Sequence, residues 1–218
     1  IPEEVTSRVR PIKDAELGAS LGYLVAGEGH QHEVTEPRDG SSERPKTLGV
    51  MISASHPGKE LPLRIALEIL QSPRLREVEL RVLGLPKDRM SQSLQSRLKD
   101  LGRLGVDEEL KKKSIRETAR EILRCDALLS VDTGILHLAE GLGVPVVGLY
   151  GPTHRDLGFP VVRSGSEALA SSLWCRPCSK DGSMCFRKNR YLCMKETSVE
   201  QVVGALVRVL KLSTGAKP

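Results

Sequence analysis

Aromatic residues are scarce in this chain of 218 residues: one Trp, three Tyr and two Phe. Single-stranded nucleic acid is held largely by stacking its bases on aromatic rings, so a nucleic-acid partner is not expected. The net charge is only +5 and the basic residues are scattered, which leaves room for an anionic ligand but not for a phosphate-backbone footprint. The run Lys111-Lys112-Lys113 reads as a solvated surface. Also missing is any apolar run near the twenty residues that a membrane-spanning helix needs, and no secretory leader is visible. A cytoplasmic protein is expected. The chain opens on Ile1 rather than Met, and it is expected to be incomplete.

What is present is concentrated in residues 125–153, C-D-A-L-L-S-V-D-T-G-I-L-H-L-A-E-G-L-G-V-P-V-V-G-L-Y-G-P-T. An apolar run over 127–131 predicts a strand, and Ile135, Leu138, Ala139 and Leu142 at helical spacing predict a helix straight after the Asp132-Thr133-Gly134 turn. Gly143 and Pro145 stop that helix. A second apolar run over 144–150 suits a parallel strand buried on both faces. Ligands of open parallel sheets collect beyond the carboxyl ends of the strands, where a helix N-terminus offers unpaired N–H groups to an anion. Thr133 and Gly134 stand there, and the second strand ends in another small loop, Gly151-Pro152-Thr153. Two such loops side by side suggest a diphosphate. Plainer readings stay open: Asp132 as a helix cap, Thr133 and Gly134 as a turn, and His137 as a solvated or core residue rather than one at the ligand edge. A D-T-G triplet also occurs in aspartic proteases, but their chemistry needs two carboxylates sharing a proton in a β frame. Here a helix follows at once.

The rest of the chain reads as more α/β alternation. A strand over 48–53 leads through Ser55-His56-Pro57-Gly58-Lys59 into a helix starting at Pro62, with Ile65, Leu67, Ile69 and Leu70 on its apolar side. Lys59 would face a phosphate at the strand's carboxyl edge. A strand over 78–83 precedes Asp88, which suits the N-terminus of a helix over 91–104. Ser114 and Glu117 form a capping-box pattern ahead of Ile115, Ala119, Ile122 and Leu123. Cys125 reads as a small buried hydrophobe. Ser198 and Gln201 open a last helix whose stripe of Val202, Val203, Leu206, Val209 and Leu210 should dock on a sheet or on another domain. The expected fold is α/β, a Rossmann-like parallel sheet with flanking helices, over residues 46–212. Residues 1–45 do not read as a self-contained unit, His30 and His32 there read as loop histidines, and 213–218 form a tail. Cys175, Cys178, Cys185 and Cys193, spaced C-x2-C-x6-C-x7-C, are loosely zinc-like. Structural zinc, disulfide and free thiols all stay open.

The run V-D-T-G-I-L-H-L-A-E-G-L-G-V-P-V-V-G-L-Y-G-P-T resembles the signature of glycosyltransferase family 9, the ADP-heptose:lipopolysaccharide heptosyltransferases. That resemblance implies the C-terminal, donor-binding half of a GT-B fold, with residues 1–45 the remnant of the N-terminal acceptor domain and its linker. It implies transfer of heptose from ADP-heptose to the lipopolysaccharide inner core, without a cofactor for catalysis, at the cytoplasmic face of the inner membrane. Donor binding would fall to Lys59, Asp132, Thr133, Gly134, His137 and Thr153. Asp88 would reach the nucleoside or sugar, and Arg155 a phosphate. The base that activates the acceptor is expected in the absent domain, so no catalytic residue is assigned here. Glu140 and Gly141 depart from the small residues usual in the family's helix. Two alternatives remain: a nucleotide-diphosphate-binding module with no activity of its own, and a zinc-stabilised interaction domain.

Overall fold

Three strands, β1 (Thr47–Met51), β3 (Ala127–Val131) and β4 (Val146–Tyr150), have apolar side chains on both faces and are buried almost throughout. Strands of that kind are stable only with helices on both sides of the sheet. The computed structural model of the protein, which describes residues 44–104, 110, 113–153, 161, 163–178, 182–187 and 190–212, places them at the centre of a five-stranded, all-parallel sheet in the order β2-β1-β3-β4-β5. The outer strands are β2 (Glu79–Val82), whose exposure alternates, and β5 (Glu167–Ala170), a partly exposed edge. His30, His32, Lys111, Lys112, His154 and Arg155 lie outside the described residues, as does the tail.

The helices are α1 (Leu63–Leu70), α2 (Arg89–Asp100), α3 (Ile115–Leu123), α4 (Gly134–Gly141), the single turn α5 (Leu192–Lys195) and α6 (Val199–Val209). Three of them, α2, α3 and α6, begin at a residue whose side chain caps the helix. Asp88 accepts from Met90 N and so starts α2 two residues before the predicted point. Ser114 and Glu117 form the expected capping box of α3, and Ser198 accepts from Gln201 N at the start of α6. The buried face of α6 closes one side of the sheet through Val202, Val203 and Leu206. Full burial of such side chains contributes about 1.5–3 kcal/mol each.

Several expectations need correction. Ile115 is 65% exposed, so the buried face of α3 is Ala119 and Ile122 alone. On α4, Leu136 and Ala139 are buried while Ile135, Leu138 and Leu142 are only partly so. Leu136 reaches the sheet because β4 carries Gly148 beneath it: a Cβ there would lie 2.9 Å from Leu136 Cδ1. The strand predicted from 144 begins at Val146, because Val144 N still closes the helix by donating to Ala139 O and Gly143 takes a left-handed φ of 86°. Cys125 is buried, as expected. Glu140 accepts from Arg163 N, which ties the helix to the segment leading into β5. No helix among the described residues is long and apolar enough to cross a membrane.

In this strand order the chain moves outward to β2 after β1 and the opposite way after β3. The crevice between β1 and β3 is therefore the switch point where such sheets bind ligands.

Candidate functional site

Three loops meet at the carboxyl ends of β1, β3 and β4. After β1, Leu61 N donates to Ile52 O and Pro57–Lys59 forms one 3-10 turn, which carries Lys59 back across the crevice. After β3 come Asp132 and Thr133, then α4. After β4, residues 151–153 bring in Thr153, which is buried.

Asp132 is where these loops converge. Its Oδ2 receives Lys59 Nζ at 2.9 Å and Thr153 Oγ1 at 2.8 Å, and Lys59 Nζ also donates to the Asp132 carbonyl at 3.3 Å. His137, one turn into α4, holds its Nε2 3.7 Å from Asp132 Oδ1. Burial alone would raise the carboxyl's pKa, but His137, the Lys59 ammonium and the Thr153 hydroxyl outweigh it and hold the group well below the usual carboxylate range. Asp132 is thus an ionised hub. The plainer reading of Asp132 as a helix cap does not hold: the N-cap of α4 is the residue after it, Thr133, which makes no capping bond with its side chain. Thr133 Oγ1 lies 3.4 Å from Ser130 Oγ.

Gly134 opens the helix. It is exposed, and a Cβ built on it would meet nothing within 4 Å. The backbone at the start of α4 is therefore open to an approaching group, with Lys59 Nζ 3.3 Å from the Asp132 carbonyl two residues before Gly134, and an exposed helix N-terminus beside an ammonium suits an anion. Gly134→Ala should leave stability within about 0.5 kcal/mol of the parent, since no neighbour is displaced. If an anion sits against that backbone, the same methyl group should weaken ADP binding about tenfold, or 1.4 kcal/mol. Urea denaturation and calorimetric titration of one sample separate the two effects, and unchanged affinity would reduce Gly134 to a turn residue.

The structure thus joins Lys59, Asp132, His137 and Thr153 directly and places Thr133 and Gly134 beside them. Asp88 makes its contacts elsewhere: it caps α2 and accepts from the buried Ser91 hydroxyl. Glu60 faces Asp88, and its pKa is raised first by burial and then by that neighbouring carboxylate.

The cysteine segment packs over the same loops. Cys178 N donates to Pro152 O at 3.1 Å, and Gly182 lies so close to the stem of Lys59 that a Cβ would fall 2.8 Å from Lys59 Cγ. All four thiols are free. Burial, then repulsion by Cys185 and Cys175, pushes the Cys178 thiol up, while Cys185, accepting from Tyr191 N, is lowered. Among the described residues no three His, Cys, Asp or Glu side chains are grouped to hold a metal ion, so the thiols as placed do not form a tetrahedral site. Trp174, Phe186, Arg187 and Leu192 wall a cavity of about 630 Å³ beside Cys175 and Cys178. Sequence reasoning missed Arg176, between those two cysteines, which binds the loop after β4. No periodicity or motif marks it.

The chain is similar to known proteins in sequence and in fold. The model of glycosyltransferase family 9 (heptosyltransferase) matches residues 22–187, well over half of the chain. Lipooligosaccharide heptosyltransferase 2 of Campylobacter jejuni subsp. jejuni serotype O:2 is 28% identical over 102 residues, which cover 47% of this chain and 31% of that protein. Among solved structures, E. coli ADP-heptose lps heptosyltransferase II aligns with a TM-score of 0.59 at 17% identity, over 78% of this chain and 48% of that one. Dodecameric iron-containing heptosyltransferase TibC, from enterotoxigenic E. coli H10407, solved in complex with ADP-D-beta-D-heptose, aligns at 0.57 and 15% identity over 82% and 48%. The alignments span about a third of the curated relative and half of each solved one.

Proposed function

Because the chain belongs to glycosyltransferase family 9, we propose that it is the donor-binding part of an enzyme that transfers heptose from ADP-heptose to the inner core of lipopolysaccharide, at the cytoplasmic face of the inner membrane. The observation that carries this reading is the meeting of Lys59, Asp132, His137 and Thr153 beside the open N-terminus of α4. In the transfer, the acceptor oxygen forms a bond to the anomeric carbon as the bond from that carbon to the diphosphate oxygen breaks, and ADP leaves with the electron pair. The acceptor's proton goes to a base outside the described residues. Lys59 and the N–H groups at Thr133 and Gly134 take up the charge that grows on the leaving diphosphate, a contribution that often dominates an enzyme's rate. Asp132 cannot face a phosphate, since like charges repel. Its part is to hold Lys59 and Thr153 in place through Oδ2, while Oδ1 faces His137. Titrating ADP into the 218-residue chain should give saturable binding, and absence of binding would overturn the donor-site reading. Heptose transfer seen only when a first domain is supplied would make this chain a binding module rather than an enzyme by itself.

The cysteines carry a second proposal, a structural zinc at Cys175, Cys178, Cys185 and Cys193. Its support is that Cys178 and Cys193 each feel the charge of other thiols in the set, so the donors are neighbours although not assembled. Elemental analysis should then return about one zinc per chain, with the melting temperature falling on chelation. Metal-free protein that melts unchanged with chelator would rule this out.

A further inference from the structure

Arg176 projects its guanidinium onto backbone oxygens rather than onto a carboxylate. Nε donates to Gly151 O, Nη1 to Ser171 O and Nη2 to Thr153 O, the last at 2.8 Å. With Cys178 N on Pro152 O, the carbonyls of residues 151, 152 and 153 are all taken by the cysteine segment. This loop follows β4 and has no ladder to hold it, so its carbonyls need donors from elsewhere. A planar guanidinium with five N–H groups in a fixed fork can serve three carbonyls at once; an ammonium on a flexible stem cannot hold the same geometry. The consequence passes along the loop, because the Thr153 hydroxyl donates to Asp132 Oδ2, the oxygen that also receives Lys59.

We propose that Arg176 is a positioning residue of the donor site: by fixing the carbonyls of Gly151 and Thr153 it sets the Thr153 hydroxyl, and through it the Asp132 carboxylate that holds Lys59, the group that meets the diphosphate. The proposal rests on the reading of Lys59 and the 132–134 turn as a diphosphate site. It makes the cysteine segment a working part of that site. The segment supplies Arg176 to one loop and lays Gly182 against Lys59 in another.

A double-mutant cycle on the 218-residue chain tests it, with ADP as the titrant and calorimetry well below the melting temperature. Arg176→Ala and Thr153→Ala should each weaken ADP about tenfold, and the double variant about tenfold again in total rather than a hundredfold, since one acts through the other. Arg176→Lys keeps the charge but not the fork, and should bind as weakly as the alanine variant. It also carries the cycle if Arg176→Ala does not fold, as judged by circular dichroism. A merely structural role would lower the melting temperature of Arg176→Ala and leave its affinity intact. Wild-type binding with unchanged affinity in Arg176→Ala, full rescue by lysine, or effects that multiply in the double variant would each overturn the proposal. No binding by the wild-type chain would instead sink the donor-site reading, and this proposal with it.

Discussion

Lys59→Ala should weaken ADP binding to this chain about thirtyfold, the loss of about 2 kcal/mol that goes with a hydrogen bond from a charged donor. The expectation follows from the position of Lys59: its ammonium stands beside the exposed start of α4 and is held there at 2.9 Å by Asp132. The substitution does two things at once. It removes a cation that would meet the diphosphate, and it leaves the Asp132 carboxylate without its closest counter-ion, so that a negative charge faces the incoming ligand. Lys59→Ala combined with Asp132→Asn separates these effects. If repulsion by the bare carboxylate were the whole cause, the double variant would regain wild-type affinity; if the ammonium itself binds phosphate, affinity stays low. The loss should shrink only modestly at high salt, because the Lys59 side chain keeps just 15% of its surface and partly buried charges are screened less than exposed ones. Wild-type affinity in Lys59→Ala would confine this lysine to the role of a counter-ion.

Asp132→Asn, taken alone, should lower the unfolding free energy by about 3 kcal/mol near neutral pH, the lower end of the range for breaking one side of a buried ion pair. The lower end applies because the two side chains keep 15% and 12% of their surface. The pH dependence has a definite sign. Burial works to raise the carboxyl's pKa, but His137, Lys59 and Thr153 depress it below its unfolded value. The stability it contributes is therefore fully present above the unfolded pKa of about 3.9 and is lost as the pH falls toward the folded value. Wild type and variant should differ by a constant amount from about pH 5 upward and converge below about pH 4. Urea denaturation at a series of pH values measures this directly. A difference that does not change with pH would mean the asparagine acts by altered packing, and the ionised hub would have to be abandoned.

Much of this molecule can be read from local sequence because its signals are local. The strands at the centre of the sheet are continuous apolar runs, and a parallel sheet covered on both faces requires that of any sequence that forms it. The caps at Ser114 and Ser198 involve residues three apart, within one helical turn. The site residues Lys59, Thr133, Gly134 and Thr153 each lie in the loop or turn that follows a predicted strand, so a topological rule alone puts them at one edge. The missed elements have weaker local signals. β5 is four residues at a partly exposed edge, and α5 is a single turn. The face of α4 depends on what lies beneath it: Leu136 enters the core because a glycine on another strand makes room.

By itself, then, the sequence determined the alternation of strands and helices, the place of the D-T-G turn at a strand end, and the residue types available there for an anion. Tertiary structure decided what those residues do to one another. Asp132 and Lys59 are 73 positions apart, Asp132 and Thr153 are 21 apart, and Arg176 lies 23 beyond Thr153. Their pairing depends on strand order and loop path, which no local propensity encodes. An aspartate read by itself is a helix cap. With a lysine and a threonine brought to it by two other loops and a histidine from the helix it precedes, it is an ionised hub, because the charge partners around a carboxylate, more than its own position in the chain, set its protonation and its role.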